Sequence, residues 1–437
     1  MEQKSNLKEF LQYTIMNIIG MIGLSCYILA DTFFVSKGLG SEGLAALNIA
    51  IPVYSFIHGS GLMIGMGGAT KYSILKGHNE SEEVKKMFTN TLYLAGIMAA
   101  MFFLLGCFQA GNIAEILGAD SNVHAMTETY LKILMLFAPV FLLNDILICF
   151  IRNDGNPKLS MSAMLVGSLA NIILDYIFIF PMGMGIFGAV FATGLAPVIS
   201  LIILSSHFFN KKNQFTCGKV KLHGAYIKNI LGIGFPSFIS EVASGIVIII
   251  FNIIILKLRG NIGVAAYGVI ANIALVAVAI HTGVAQGMQP LVSRAYGRGK
   301  IHIARTIYRY AIITVIIVSA FTYSLIFGMS ENIVKAFNSE QNLQMQQIAT
   351  IGLKLYFISI PFIGYNIVTA MFFSAVERPL SGQAIAILRG ILLTIPIAVL
   401  LSYLFGLYGV WITVPVTEGI VAVAAAGFWI KYLRRKR

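Results

Sequence analysis

A chain of 437 residues that is 57% hydrophobic and only 11% charged is too apolar to be a soluble globule. Its mean hydropathy of +0.83 places nearly all of it in a bilayer. The net charge of +13 would suit a nucleic-acid partner, a reading that the placement of the charges removes below.

Apolar runs fall at about 9–36, 44–70, 88–110, 127–151, 159–181, 186–209, 225–256, 264–291, 306–328, 346–374, 380–403 and 407–430. Each is long enough for a helix to cross a hydrocarbon core of ~30 Å, which takes ~20 residues at 1.5 Å each. The residues before the first run are polar, and the run lacks a small-residue cleavage site, so no signal peptide is expected. The first run carries one carboxylate, Asp31, shortly before Ser36-Lys37-Gly38. The fourth carries Asp145 after Pro139. In the fifth, Asp175 is the only charged residue between Leu159 and Phe180, and Asn171 lies one turn earlier on the same helical face. A carboxylate inside such a helix costs at least ~2.5–3.5 kcal/mol to insert, so it marks a functional site by default.

After Pro181-Met182-Gly183-Met184-Gly185 the chain turns back, and Thr193 falls about eight residues into the sixth run. Asp175 and Thr193 then share a depth roughly 10 Å below one surface. Three helices thereby place Asp31, Asn171, Asp175 and Thr193 around one oxygen-rich point, suited to a bound proton or cation. The four would be metal ligands only if that cation were Na⁺. Two carboxylates in one dry site do not both ionise comfortably, so a cation entering or a proton leaving changes the local charge.

The seventh run carries Glu241, which reads as a counter-ion for a cationic substrate or as a local structural acid; Asp145 is a second cavity candidate. His58 and His281, midway along the second helices of the two halves, read as packing residues, and Arg389 as facing the interior or the cytoplasmic interface. The four cysteines form no CxxC or Cys/His spacing and read as structural thiols.

With the N-terminus in the cytoplasm, 24 of the 31 Lys and Arg fall on that side, from Lys4 and Lys8 through Lys211 and Lys212 to Lys431, Arg434, Arg435, Lys436 and Arg437. The opposite loops hold only Lys37, Lys257, Arg259 and Lys335. The positive-inside rule accounts for the basicity without nucleic acid and places both termini in the cytoplasm. Asp31, Asp175 and Thr193 then all lie in the outer half of the membrane.

The chain is also written twice, with a shift of 220 to 222 residues. Gly40, Gly43, Gly67 and Gly77 recur as Gly260, Gly263, Gly287 and Gly297, Pro139 and Pro157 as Pro361 and Pro379, and Gly185 and Gly188 as Gly406 and Gly409. The expected fold is therefore an all-α integral membrane protein, with twelve transmembrane helices in two pseudo-symmetric six-helix lobes. The lobes are 1–210 and 225–437, joined by a cytoplasmic linker at 211–224. Six helices return each lobe to the same side, giving parallel repeats of the kind found in transporters that rock about a central cavity. The polar set is not duplicated: Asp31 maps to Phe251, Asn171 to about Leu393, Asp175 to Pro396 and Thr193 to Val414.

Asp31-Thr32 near the end of the first helix, Asn171 to Asp175 before a Phe-rich outer end, and Gly234-Phe235-Pro236 opening the seventh helix together resemble the multidrug and toxic compound extrusion (MATE) family. The resemblance covers the whole chain and points to the bacterial branch of MepA-type and DinF-like exporters. It implies that Asp31, Asn171, Asp175 and Thr193 bind the coupling H⁺ or Na⁺, and that substrates are organic, often cationic, drug-like compounds. Another branch of the family uses a second cation site with acids on the seventh and tenth helices. Glu241 matches the first of these, but no Asp or Glu lies around Ser359 to Ile363.

Enzyme chemistry finds no footing. There is no Gly-x-x-x-x-Gly-Lys-Ser/Thr phosphate loop, no His/Cys set with metal spacing and no nucleophile with an evident base. The expectation is a secondary antiporter of the bacterial inner membrane, a monomer in contact with lipid, with no cofactor beyond its coupling ion. A flippase of lipid-linked precursors would need several cavity Arg or Lys residues, of which only Arg389 qualifies. A membrane sensor or scaffold would need a soluble receiving domain, and no loop is long enough. A channel fits poorly with a duplicated chain.

Overall fold

The computed structural model describes residues 2–211, 213–338 and 341–434; Lys212, Arg435, Lys436 and Arg437 of the basic inventory lie outside the described residues. The described chain is helical almost throughout, with no strand. The helices are α1 Glu2–Gly77, α2 Ser81–Phe108, α3 Ala110–Ile116, α4 His124–Leu136, α5 Ala138–Asn153, α6 Pro157–Ile179, α7 Gly185–Phe209, α8 Gly224–Gly297, α9 Ile301–Phe337, α10 Leu343–Tyr356, α11 Ile360–Ala375, α12 Pro379–Ile387, α13 Thr394–Phe405 and α14 Leu407–Arg434.

Two of these are hairpins rather than rods. Helix α1 breaks at Gly40 (φ 67, ψ −157) and α8 at Gly260 (φ 62, ψ −157), a backbone region that only glycine occupies without strain. The reversal is visible in contacts. The hydroxyls of Tyr27 and Tyr54 meet at 2.6 Å, although 27 residues of straight helix would separate them by about 40 Å. Likewise the rings of Phe251 and Tyr267 lie 5.6 Å apart. Counting each arm, and taking the bent pair α4–α5 as one span, the described helices supply the twelve expected crossings.

The repeat is repeated in the backbone. Besides Gly40 and Gly260, positive φ recurs at Asn79 and Gly299, at Gly155 and Glu377, and at Gly185 and Gly406, each pair separated by 220 to 222 residues. Both helix starts after the third break also use proline at the first turn, Pro157 in α6 and Pro379 in α12, where the missing N–H is not needed. Asn156 caps α6 by accepting from Leu159 N at 3.2 Å.

Three runs that read as continuous are interrupted. The span 127–151 bends by 48° between α4 and α5, where Pro139 lacks the N–H that would continue the ladder. Its repeat image passes through a 3₁₀ turn at Phe357–Ser359, just before Pro361. The span 380–403 contains a π turn at Leu388–Leu392 that carries Arg389, a form of irregularity frequent at functional sites.

By packing, the chain divides into two compact units. One gathers Ile19–Val242 with Ser293–Ile301; the other gathers the residues up to Ile18, Ala243–Val292 and those from His302 onward. The first unit holds every predicted site residue. At its basic end, Asp154 Oδ1 accepts from Tyr72 (2.5 Å) and Lys76 (2.7 Å). Asp154 Oδ2 accepts from Gln214 N and meets His207 Nε2, both at 2.9 Å. This carboxylate pins the linker to α1, α5 and α7, so its polarity is fully engaged in structure. The second unit packs a dry core around Phe251, Tyr267, Ile270, Leu353, Trp411 and Val414.

Candidate ion site and the polar chain leading from it

Helix α6 turns Asn171 and Asp175 inward, both fully buried, while Ile173 and Tyr176 on the other face are half exposed. The α6–α7 turn uses positive φ at Gly183 and Gly185 and brings α7 back antiparallel, with a Cβ at Gly167 only 3.3 Å from Ala196 O and Ser200 Cβ. That close approach puts Thr193 level with the acids. With its amide turned to suit both neighbours, Asn171 donates to Asp175 Oδ2 at 3.0 Å and accepts from Thr193 N at 3.3 Å. The Thr193 hydroxyl donates to Ala189 O at 3.1 Å, so its lone pairs remain free to accept.

Asp31, on the first arm of α1, is 7% exposed and lies within electrostatic reach of Asp175. The structure thus brings together the four residues that the sequence grouped. Asp31 Oδ1 and Asp175 Oδ1 are buried with no hydrogen-bond partner, and among the described residues neither carboxylate has a Lys or Arg beside it. A buried carboxylate oxygen left open is costly, and a proton or a hard cation is what would relieve it. The donor set is all oxygen and fits Na⁺ or H⁺. A Na⁺ ion would be held by Asp31, Asp175 and Thr193 and would offset one of the pair's two negative charges without a covalent step.

The structure adds residues that the sequence did not single out. Tyr130 of α4 faces Asp31, Asp175, Thr193 and Tyr27. Tyr27, one turn before Asp31, meets Tyr54 of the returning arm. Tyr54 stacks on His58 with ring centroids 5.7 Å apart and an interplanar angle of 14°. His58 Nδ1 lies 3.0 Å from Asp145 Oδ2, and Glu241 is within electrostatic reach of both. A polar chain therefore runs from Asp31 and Asp175 through Tyr27 and Tyr54 to His58, Asp145 and Glu241. His58 departs from the packing role expected of it because Asp145 of α5 faces it. His281 keeps that role, with Nδ1 on Ala277 O at 2.7 Å and Nε2 on Ser319 Oγ at 2.9 Å.

In the other compact unit, Arg389 is taken. Its Nε and Nη2 donate to Glu418 Oε1 at 3.0 and 2.7 Å, and Asn366 donates to Glu418 Oε2 at 2.7 Å. Glu418 went unnoticed in the sequence, although it is the only acid of the last apolar run and the natural partner for Arg389. The four cysteines are free.

A twice-written bundle of apolar helices, broken at matched glycines and holding buried acids with open oxygens, has the build of a membrane transporter. The MatE family pattern matches residues 17–177 and 236–400, one copy in each half, and the chain belongs to that family, whose members are transporters and not enzymes. It is 26% identical over 438 residues to the multidrug export protein MepA of Staphylococcus saprophyticus, covering 100% of this chain and 96% of that protein. To MepA of Staphylococcus aureus it is 27% identical over 443 residues, with the same coverage. Among solved structures it resembles one described as the outward-facing conformation of a multidrug resistance MATE family transporter of the MOP superfamily. The TM-score is 0.91 at 22% identity, covering 98% of this chain and 96% of the other, a likeness of fold.

Proposed function

We propose that this protein is a secondary antiporter that exports organic, often cationic, drug-like compounds across the bacterial inner membrane in exchange for H⁺ or Na⁺. In this reading both termini lie in the cytoplasm and the monomer is the working unit. Asp31, Asn171, Asp175 and Thr193 bind the coupling ion. The observation that carries it is the pair of open carboxylate oxygens on Asp31 and Asp175, buried with only neutral hydrogen-bonding groups around them. A proton or Na⁺ offsets one negative charge of that pair, and the organic cation acts on the same conformational equilibrium from the cavity side. Coupling needs only that each ligand favours a different state. The lipid-flippase alternative loses its one basic candidate, since Arg389 is committed to Glu418.

The test is ethidium efflux from loaded cells or everted vesicles under separate Na⁺ and pH gradients, comparing the wild type with Asp175→Asn. Efflux should follow one gradient and vanish in the variant. Unimpaired, gradient-driven efflux by Asp175→Asn would remove this site from the coupling mechanism.

A further inference from the structure

The polar chain ends in a cluster with its own chemistry. His58 from the second arm of α1, Asp145 from α5 and Glu241 from the first arm of α8 converge. Three further titratable groups face them: Tyr54, stacked on His58 and within reach of Asp145 and Glu241, and Tyr27 and Cys149, each within reach of Asp145. The backbone is shaped to let them meet. A Cβ at Gly59 would stand 3.3 Å from Glu241 Cβ, and a Cβ at Gly61 would collide with the Asp145 carboxylate. Aromatic rings lie one turn from the acids: Phe141, four residues before Asp145, is edge-on to Tyr54 at 5.9 Å, and Phe238, three residues before Glu241, is edge-on to Phe56 at 5.7 Å.

Two carboxylates beside aromatic faces are what a flat organic cation needs, by charge and by cation–π attraction. One imidazole placed between those carboxylates changes the offer. When His58 carries a proton, it is itself the cation that the site holds; when it is neutral, the two acids are free for another. We propose that His58, Asp145 and Glu241 form a second exchange site, in which an organic cation and the His58 proton compete. The inference rests on the reading of the protein as an exporter of organic cations and names where the cation is held.

The Tyr27–Tyr54 hydroxyl pair makes the two sites neighbours. Tyr27 lies within electrostatic reach of Asp31, Asp175 and Asp145 together, and Tyr54 of Asp145 and Glu241. A charge that arrives at Asp31 and Asp175 is therefore felt at His58, and release of the His58 proton to water, as a substrate cation takes its place beside the acids, is felt in return. Reciprocity of this kind is what exchange requires.

The experiment is equilibrium binding of ethidium to the purified full chain in detergent, by fluorescence anisotropy, between pH 6 and 10 with no ion gradient. Wild-type affinity should rise about tenfold or more across that range, the scale of one close unit charge in a partly dry site. His58→Gln should bind at pH 6 nearly as tightly as the wild type does at pH 10. His58→Lys, with a fixed charge, should bind weakly throughout. Glu241→Gln should lose about tenfold for ethidium at pH 10 and little for an uncharged dye of similar size, which separates lost charge from lost fold. If His58→Gln keeps the wild-type pH profile, or Glu241→Gln binds ethidium as the wild type does, the second site is wrong while the exporter reading stands. If the wild type binds no organic cation at any pH, both fall. Because no gradient is applied, the result does not depend on ion-driven turnover through Asp175, and the same titration on Asp175→Asn separates the ion site's share of the pH profile.

Discussion

The two halves of this chain share a backbone plan and fill it differently. In the first half, Asp31, Asn171, Asp175 and Thr193 gather where α1, α6 and α7 meet. At the repeat-equivalent positions the second half has Phe251, about Leu393, Pro396 and Val414, and Phe251 and Val414 belong to its dry core. Even the space is exchanged. Tyr130 corresponds to Gly352, and a Cβ there would stand 3.1 Å from the Trp411 ring, whose own counterpart is Val190. The glycine breaks at Gly40 and Gly260 are nonetheless the same. The fold therefore does not need carboxylates at this place, and the first half keeps them against a burial penalty.

A second contrast sharpens the first. Glu418 is as deeply placed as Asp31, yet Arg389 and Asn366 close its oxygens with bidentate and single hydrogen bonds. An acid held by an arginine has no vacancy for a proton or an ion. The acids of the first half keep an oxygen open, which the proposed exchange requires, and the acid of the second is closed by its partners.

Transplanting an acid into the apolar image should do the most damage. Phe251→Asp would bury a carboxylate without its Asn, Thr and second Asp, and the loss should reach at least ~3–5 kcal/mol, the scale of an uncompensated buried charge. Thermal unfolding of the purified chain, followed with a thiol-reactive dye, would measure it. Near-wild-type stability would mean that the dry core is less dry than its packing implies. Next in size are the single variants Glu418→Met and Arg389→Met, each expected to cost about 3–5 kcal/mol by leaving the other group unpaired, whereas the double variant should return close to the wild type. Efflux retained in the double variant would establish the pair as structural; efflux lost in it would make the pair part of transport.

The sign reverses at the open acids. Asp31→Asn or Asp175→Asn replaces an exposed-to-nothing charge by a neutral isostere, and should raise stability by roughly 0.5–2 kcal/mol while removing gradient-driven efflux. A gain in Tm together with a loss of coupling is the signature of a functional acid. A loss of both would class the residue with Glu418.

How much of this was legible follows from what each feature depends on. The spans, the repeat and the grouping of Asp31, Asn171, Asp175 and Thr193 rest on hydropathy and on short spacings, Asn171 to Asp175 and the tight α6–α7 turn, which sequence carries directly. The bends at Phe137 and at the π turn of Arg389 depend on which backbone groups find partners, and an apolar run reads the same with or without them. His58 was read as packing because Asp145 is 87 residues away along the chain, and only the meeting of α1 with α5 shows the pair. The tyrosines were hidden for a simpler reason. In a chain with 18 Tyr and 30 Phe, a hydroxyl aimed at an acid leaves no local signature.

Tyr130 tests that last point with the smallest expected effect. Its hydroxyl faces Thr193 and both open acids, and its counterpart in the second half is a glycine, so nothing in the repeat requires a tyrosine. Tyr130→Phe keeps the ring and removes one neutral hydrogen-bonding group, worth about 1 kcal/mol. The half-saturating concentration of the coupling ion for efflux should then shift by about fivefold, with the maximal rate little changed. A shift confined to the ion would assign the hydroxyl to the ion site. A change in substrate affinity instead would place Tyr130 on the side of His58, Asp145 and Glu241, and the boundary between the two polar groups would have to be redrawn through Tyr27.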